Sequence, residues 1–292
     1  MHSKAALNQV SRPRSVSRRR VVIQPPRFSP ANLVNDLNKL ANYYDLLYTL
    51  SVHRVKVRYK QSLLGASWAI IQPLAMVTIL TAIFSFIVRM PSEGLPYVLF
   101  AYVALLPWNY FSASLTTSTN GLVSHATLIT KVYFPREILP LSYVFAALFD
   151  FLIASTVLIF LLFYYHIPLT LNILYVLPIL AILTVFIIAA SLLLAAVQVR
   201  FRDVGVAVPI VLQVWMFASP VVYPLASVPL RFRSLYQLNP MAGIIEGLRR
   251  VVLHGAPPLF VPLAMSTIIS AVLLVVAYGY FKRVEATMAD FI

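Results

Sequence analysis

The stretch ILYVLPILAILTVFIIAASLLLAAVQ, from Ile173 to Gln198, runs for 26 residues without a single charge. As an α-helix rising about 1.5 Å per residue it reaches about 39 Å, enough to cross the roughly 30 Å hydrocarbon core of a bilayer. Val199-Arg200-Phe201-Arg202-Asp203 then ends it with charge. With Pro, Gly and charges as boundaries, six stretches approach the required length, near 63–88, 98–118, 138–164, 173–198, 205–223 and 260–281. The expected fold class is an all-α membrane protein with six transmembrane helices. Composition agrees: the 292 residues are 60% hydrophobic and 11% charged, with a mean hydropathy of +0.84, so lipid is the solvent. Cysteine is absent, which excludes disulfides, thiolate metal sites and thiol nucleophiles.

A net charge of +14 would suggest nucleic acid in a soluble protein, but the positions of the cations argue against it. Twelve of the 23 Lys and Arg residues lie between Lys4 and Lys60, ahead of the first long apolar run, and the rest punctuate hydrophobic segments. With the N-terminus inside, the segments 1–62, 119–137, 199–204 and 282–292 hold 18 cations against five outside, namely Arg89, Arg231, Arg233, Arg249 and Arg250. That positive-inside bias places both termini in the cytoplasm. Residues 1–35 read as a basic, proline-punctuated cytoplasmic tail weakly attracted to anionic membrane lipids, and 36–292 as the transmembrane domain.

Ahead of the first span, Leu37, Leu40, Tyr44 and Leu47 recur at helical steps, while Asp36, Lys39, Asn42 and Asp45 fall on other faces. His53, Arg54, Lys56, Arg58 and Lys60 follow, as in an amphipathic helix lying in the interface with its cations toward headgroups. Val55, Val57 and Tyr59 also alternate with cations, which a short strand would explain. Pro73, Pro107, Pro178, Pro209 and Pro220 fall inside candidate spans and predict kinks. Residues 224–259 are too long for a turn and too apolar for an exposed loop. Short helices dipping into the outer leaflet are expected there, one of them over Met241 to Leu253.

Nothing in the chain builds a catalytic centre. It has no G-x-x-x-x-G-K-[ST] phosphate loop, its five histidines are scattered without metal-ligand spacing, and no nucleophile-elbow motif occurs. The chain is not expected to be an enzyme.

The string Leu128-Ile129-Thr130-Lys131-Val132-Tyr133-Phe134-Pro135-Arg136-Glu137-Ile138-Leu139-Pro140 resembles the signature of type-2 ABC transporter permeases that export O antigen, capsule and teichoic acid. Val57-Arg58-Tyr59-Lys60-Gln61-Ser62, Leu106-Pro107-Trp108, Val199-Arg200-Phe201-Arg202-Asp203-Val204, Ala218-Ser219-Pro220-Val221 and Asn239-Pro240-Met241 follow the family's order over about residues 36 to 292. Ser124-His125-Ala126-Thr127 departs from the Asn-rich stretch of close relatives.

The resemblance implies a homodimeric, pore-forming permease in the bacterial inner membrane. Two copies of a separate ATPase subunit would hold ATP and Mg, leaving no cofactor in this chain. The substrate would be a polyprenyl-pyrophosphate-linked glycan or a teichoic-type polymer. A type-2 permease for another lipid or a drug, and a membrane-embedded glycan polymerase or acyltransferase, are the alternatives.

The resemblance also implies that the loop after span two is a coupling helix seated in the ATPase. Leu128, Ile129, Val132 and Phe134, beside Lys131, Tyr133 and Arg136, are its candidate contacts, although they could instead pack on their own bundle. Asp150, near the middle of span three, is either a pore-facing carboxylate or a helix anchor. Glu246 with Arg249 and Arg250 is either an outer gate or a plain ion pair within one helix. Tyr97, Phe100, Tyr102, Trp108, Tyr110 and Phe111 are either rings on which sugars slide or an interfacial aromatic belt, with Trp108 and Tyr110 the candidate pore residues.

Overall fold

The computed structural model describes residues 42–60 and 62–288, so the tail over 1–35 and the amphipathic positions Asp36 to Leu40 lie outside the described residues. Every regular element among the described residues is helical. Helix α1 (Tyr44–Tyr59) runs through Val55, Val57 and Tyr59, so the strand reading fails there. Then come α2 (Trp68–Thr81), which continues as a π-helical turn over Ala82–Ile87, α3 (Tyr97–Thr119), the short α4 (Ala126–Lys131) and α5 (Ile138–Tyr164). The chain continues through α6 (Val176–Arg200), α7 (Val204–Phe217), α8 (Leu230–Gln237), α9 (Pro240–Leu253) and α10 (Phe260–Glu285).

Among the described residues, five helical segments are long and apolar enough to cross a membrane: Gly65–Ile87, Tyr97–Thr119, Ile138–Tyr164, Leu171–Arg200 and Phe260–Glu285. The stretch expected to span at 205–223 is different. Its helix α7 has 14 residues and stops at Phe217, so at about 1.5 Å per residue it is about 21 Å long, short of a full crossing. Pro220 removes a backbone donor and disfavours helix at Ser219, and the chain leaves the helix there. The freed backbone is sheltered by protein. Tyr97 donates its hydroxyl to the Val222 carbonyl at 2.7 Å, and Asn239 Nδ2 donates to Ser219 Oγ at 2.8 Å. Non-helical backbone at membrane depth survives only where such partners exist.

Prolines act according to position. Pro73, Pro107 and Pro209 lie inside helices. Pro178 sits in the first turn of α6, where no intrahelical donor is lost, and Pro220 marks the break after α7.

Burial ranks the helices. In α3, 78% of the most apolar window is buried, against 17% for the first candidate span and 22% for α5 and for α10, so α3 is the axis around which the others pack. Its neighbours are α2, α5, α6, α7 and α9, while α10 lies on α6 and α9, and α1 lies along α5. Tyr97, Phe100, Tyr102, Trp108, Tyr110 and Phe111 are all buried. Phe111 stacks on Phe186 with centroids 5.3 Å apart and meets Trp215 edge-on at 5.2 Å. These rings pack in the interior of the bundle, with Tyr110 at the edge of a cavity.

Candidate functional site

A second apolar cluster closes the end of the bundle where the 120–137 loop, the turn after α6 and the end of α10 meet. Leu122, Ile129, Phe134, Ile138, Leu139, Val199, Phe281 and Met288 are buried together there. The expected contact surface therefore divides. Ile129 and Phe134 are 5% and 6% exposed and Leu128 is half-buried against the same cluster, so these three pack on their own bundle. Their side chains satisfy the apolar interior beneath the loop and are not free for a partner. Lys131, Val132 and Tyr133 face outward, Tyr133 with 79% of its surface exposed.

Polar contacts fix the loop at both ends. At the start, Gly121 packs against Tyr143 so closely that an added Cβ would lie 2.6 Å from the ring. Gly121→Ala is expected to displace Tyr143 and to lower the melting temperature of the purified protein, a shift that a thermal ramp in detergent would read. Tyr143 in turn carries the Arg54 guanidinium 3.4 Å above its ring, and Arg54 Nε donates to Ser142 Oγ at 2.6 Å. The His125 imidazole lies 3.0 Å from the Gly121 carbonyl. Burial chiefly holds His125 below the usual histidine range, with Arg54 and His53 acting in the same sense against the Gly121 bond. Facing a carbonyl oxygen, which can only accept, Nδ1 is the donor.

At its other end the loop is tied to α10. Lys282 Nζ lies 2.6 Å from Glu137 and 2.9 Å from Glu285, and Arg136 Nη1 donates to the Glu285 carbonyl at 2.5 Å. Arg136 is thus half-buried in this clamp, which was unreadable from sequence because its partners lie almost 150 residues away.

Helix α1 differs from a helix whose cations all face headgroups. Arg54 and Arg58 turn to α5, Arg58 while still exposed, and His53, Lys56 and Lys60 are exposed without such a contact among the described residues. Arg58 pairs with Asp150, and the Tyr59 hydroxyl donates to the same carboxylate at 2.6 Å. Asp150 thus links α5 to the end of α1. It also lines a cavity of about 480 Å³ bounded by the end of α1, the first span, α3 and α5.

The polar lining of that cavity includes Gln72, Asn109, Ser112, Thr116 and Thr117, and Tyr110 borders it. The sequence reading missed this set, although Asn109, Ser112 and Thr116 follow helical spacing. Apart from Val98, the residues of α3 that are not buried are Asn109, Ser112, Ala113, Thr116 and Thr117, all on this side. Trp108 belongs to the aromatic interior.

At the opposite end Arg249 is 1% exposed. It donates to the carbonyls of Val221 at 2.7 Å, Tyr223 at 3.4 Å and Phe100 at 3.4 Å, and lies 3.7 Å from the Phe100 ring centroid. Arg250 donates to the Pro257 carbonyl at 3.1 Å. Glu246 is half-buried and forms no ion pair with either arginine among the described residues, so the intrahelical pair is not made. Arg249 and Arg250 hold backbone, and Arg249 in particular closes the break after α7.

This arrangement defines a multi-pass α-helical membrane protein with one buried central helix, a loop clamped at one end and a sheltered chain break at the other. A family model described as ABC-2 type transporter matches residues 45–253, and the chain belongs to that family. It is similar to the O-antigen export system permease protein RfbA of Myxococcus xanthus, 31% identical over 261 residues covering 88% of this chain and 99% of the relative. The protein of the same name from Klebsiella pneumoniae is 29% identical over 252 residues, 86% of this chain and 96% of the relative. The polysialic acid transport protein KpsM of Escherichia coli is 26% identical over 247 residues, 82% of this chain and 93% of the relative.

Proposed function

We propose that the chain is the channel-forming permease subunit of an ATP-driven ABC exporter that moves a lipid-linked polysaccharide across the bacterial inner membrane. The observation that carries this reading is the nearly end-to-end similarity to permeases named for O-antigen export, at 31% identity in one case. ATP and Mg are held by a separate ATPase subunit present in two copies, and two copies of this chain enclose the path. Both termini are cytoplasmic, with α7 and the non-helical chain after it together making the fifth of six passages, so the 120–137 loop faces the ATPase. The substrate is a polyprenyl-pyrophosphate-linked glycan of the O-antigen, capsule or teichoic type.

The clamped loop supports this reading physically. A loop that transmits force must be stiff where it joins the bundle and exposed where it meets its driver. Ile129, Phe134 and Glu137 supply the first property, and Val132 and Tyr133 the second.

Two experiments test the proposal. In a deletion strain the glycan is expected to accumulate inside the cell and to disappear from the surface; normal surface glycan would end the export reading. Val132→Ala with Tyr133→Ala is expected to reduce co-purification of the ATPase subunit by about tenfold or more, as for loss of a central aromatic contact worth about 2 kcal/mol. Full co-purification would move the docking surface elsewhere.

A further inference from the structure

Helix α1 and α5 leave a groove of about 460 Å³ between them. Tyr44, Tyr48, Val52 and Val55 line it from one face of α1, at helical steps of three and four, and Phe145 and Phe149 line it from α5. Both tyrosines and both phenylalanines are exposed, so the groove is an open apolar surface. Ser51 also borders it and donates its hydroxyl to its own helix, to the Leu47 carbonyl at 2.7 Å. Lys56 is the one cation in the lining. It is exposed and makes no hydrogen bond or ion pair among the described residues, and neither does Lys60 one turn further on.

We propose that this groove is a site for an anionic bilayer phospholipid, with an acyl chain laid between α1 and α5 and the phosphate on Lys56. The inference goes beyond the export reading and holds whatever the cargo. Three observations select a lipid. The first is continuity: Leu152, Ile159 and Phe163 are exposed on the same face of α5 as Phe145 and Phe149. The groove therefore opens onto the apolar face of a helix long enough to cross the membrane, and a chain can pass from one to the other without leaving apolar surface.

The second is charge. Arg54 and Arg58 are committed to Ser142 and Asp150, which leaves Lys56 and Lys60 as the cations of this helix open to a phosphate near the membrane surface. The third is the lining itself. Sugar hydroxyls would lie against Val52, Val55, Phe145 and Phe149 with almost nothing to bond, whereas an acyl chain loses nothing there. A lipid so placed touches both α1 and α5 and adds an apolar tie to the polar ones at Ser142 and Asp150.

The test titrates the full chain in detergent with phosphatidylglycerol and, in parallel, with phosphatidylcholine of the same acyl chains, counting retained lipid by native mass spectrometry. The wild type is expected to hold its first phosphatidylglycerol at least about fivefold more tightly, the equivalent of about 1 kcal/mol for one lysine at an anionic surface. Cations elsewhere in the chain attract the same lipid, so the decisive comparison keeps net charge equal. Lys56→Gln should lose about fivefold in phosphatidylglycerol affinity, while Arg283→Gln, which removes an exposed cation near the end of α10, should keep the wild-type value. Val52→Trp fills the groove and should weaken retention of the first molecule of either lipid.

Equal retention of the two lipids by the wild type, equal losses in the two charge variants, or undiminished retention in Val52→Trp would each overturn the site. So would a chain that takes up no lipid and runs as a dimer that Val52→Trp breaks, since a second copy would then occupy the groove. The charge comparison leaves the apolar packing untouched and stands even where Val52→Trp fails to fold. None of these outcomes bears on export, which the deletion strain tests separately.

Discussion

Arg249→Met is expected to lower the thermal midpoint of the detergent-solubilised protein sharply and to reduce the yield of monodisperse material. Arg249 is the largest of the fully buried side chains, and the chain break after α7 is organised around it. The carbonyls of Val221 and Tyr223 lie where helical pairing has stopped, and the Phe100 carbonyl joins them. Hydrogen bonds from a charged donor contribute about 1.5–3 kcal/mol each when well made. One bond here is short and two are long, so the loss is on the order of 3–5 kcal/mol once the stranded carbonyls are included.

Arg249→Lys separates charge from geometry. A lysine keeps the charge and its attraction to the Phe100 ring but cannot span three carbonyls with a planar fork. It should therefore recover a minor part of the lost stability. If size-exclusion after a thermal ramp gave the same midpoint for Arg249→Met as for the wild type, the break would be held by Tyr97 and Asn239 alone.

The long helices were legible because one apolar periodicity covers each of them. The stretch near 138–164 and the observed Ile138–Tyr164 coincide, and 98–118 differs from Tyr97–Thr119 by a residue at each end. Hydropathy failed at α7 for a physical reason. Ala218 to Val222 carries no charge, so composition suggests a continuing span, but Pro220 ends the hydrogen-bonded ladder and composition does not record backbone pairing.

The loop shows a related limit. Leu128, Ile129, Val132 and Phe134 look alike in sequence, and only packing decides that Val132 faces out while Ile129 and Phe134 face in. Asp150 was recognisable as an acid that needs a partner, yet Arg58 lies 92 residues earlier with no local signal of the pairing. Asn109, Ser112 and Thr116 were visible in principle by their spacing. They were obscured because Ser114, Ser118 and Thr119 put hydroxyls on the buried faces of the same half of α3, so no single polar face stood out.

Lys282→Met is expected to have the other large effect, and its reversal is the more telling result. Lys282 is the cation that neutralises Glu137, whose side chain is 3% exposed and whose Oε2 has no hydrogen-bond partner among the described residues. Removing the lysine leaves a buried carboxylate with nothing opposite it, a loss of about 3–5 kcal/mol in comparable buried pairs. Glu137→Gln alone should be milder, since Lys282 retains Glu285 at 2.9 Å. The double variant Glu137→Gln with Lys282→Met removes both charges and should recover much of the stability lost in Lys282→Met, giving a coupling energy in a double-mutant cycle.

Function adds a second readout. The pair joins the last turn of α10 to the residue just before α5, shortly after the exposed Tyr133 segment. The double variant should therefore fold and bind its ATPase while exporting glycan poorly, because the loop has lost its rigid tie to α10. Wild-type export by a stable double variant would show that the apolar cluster around Ile129 and Phe134 transmits the motion without the ion pair.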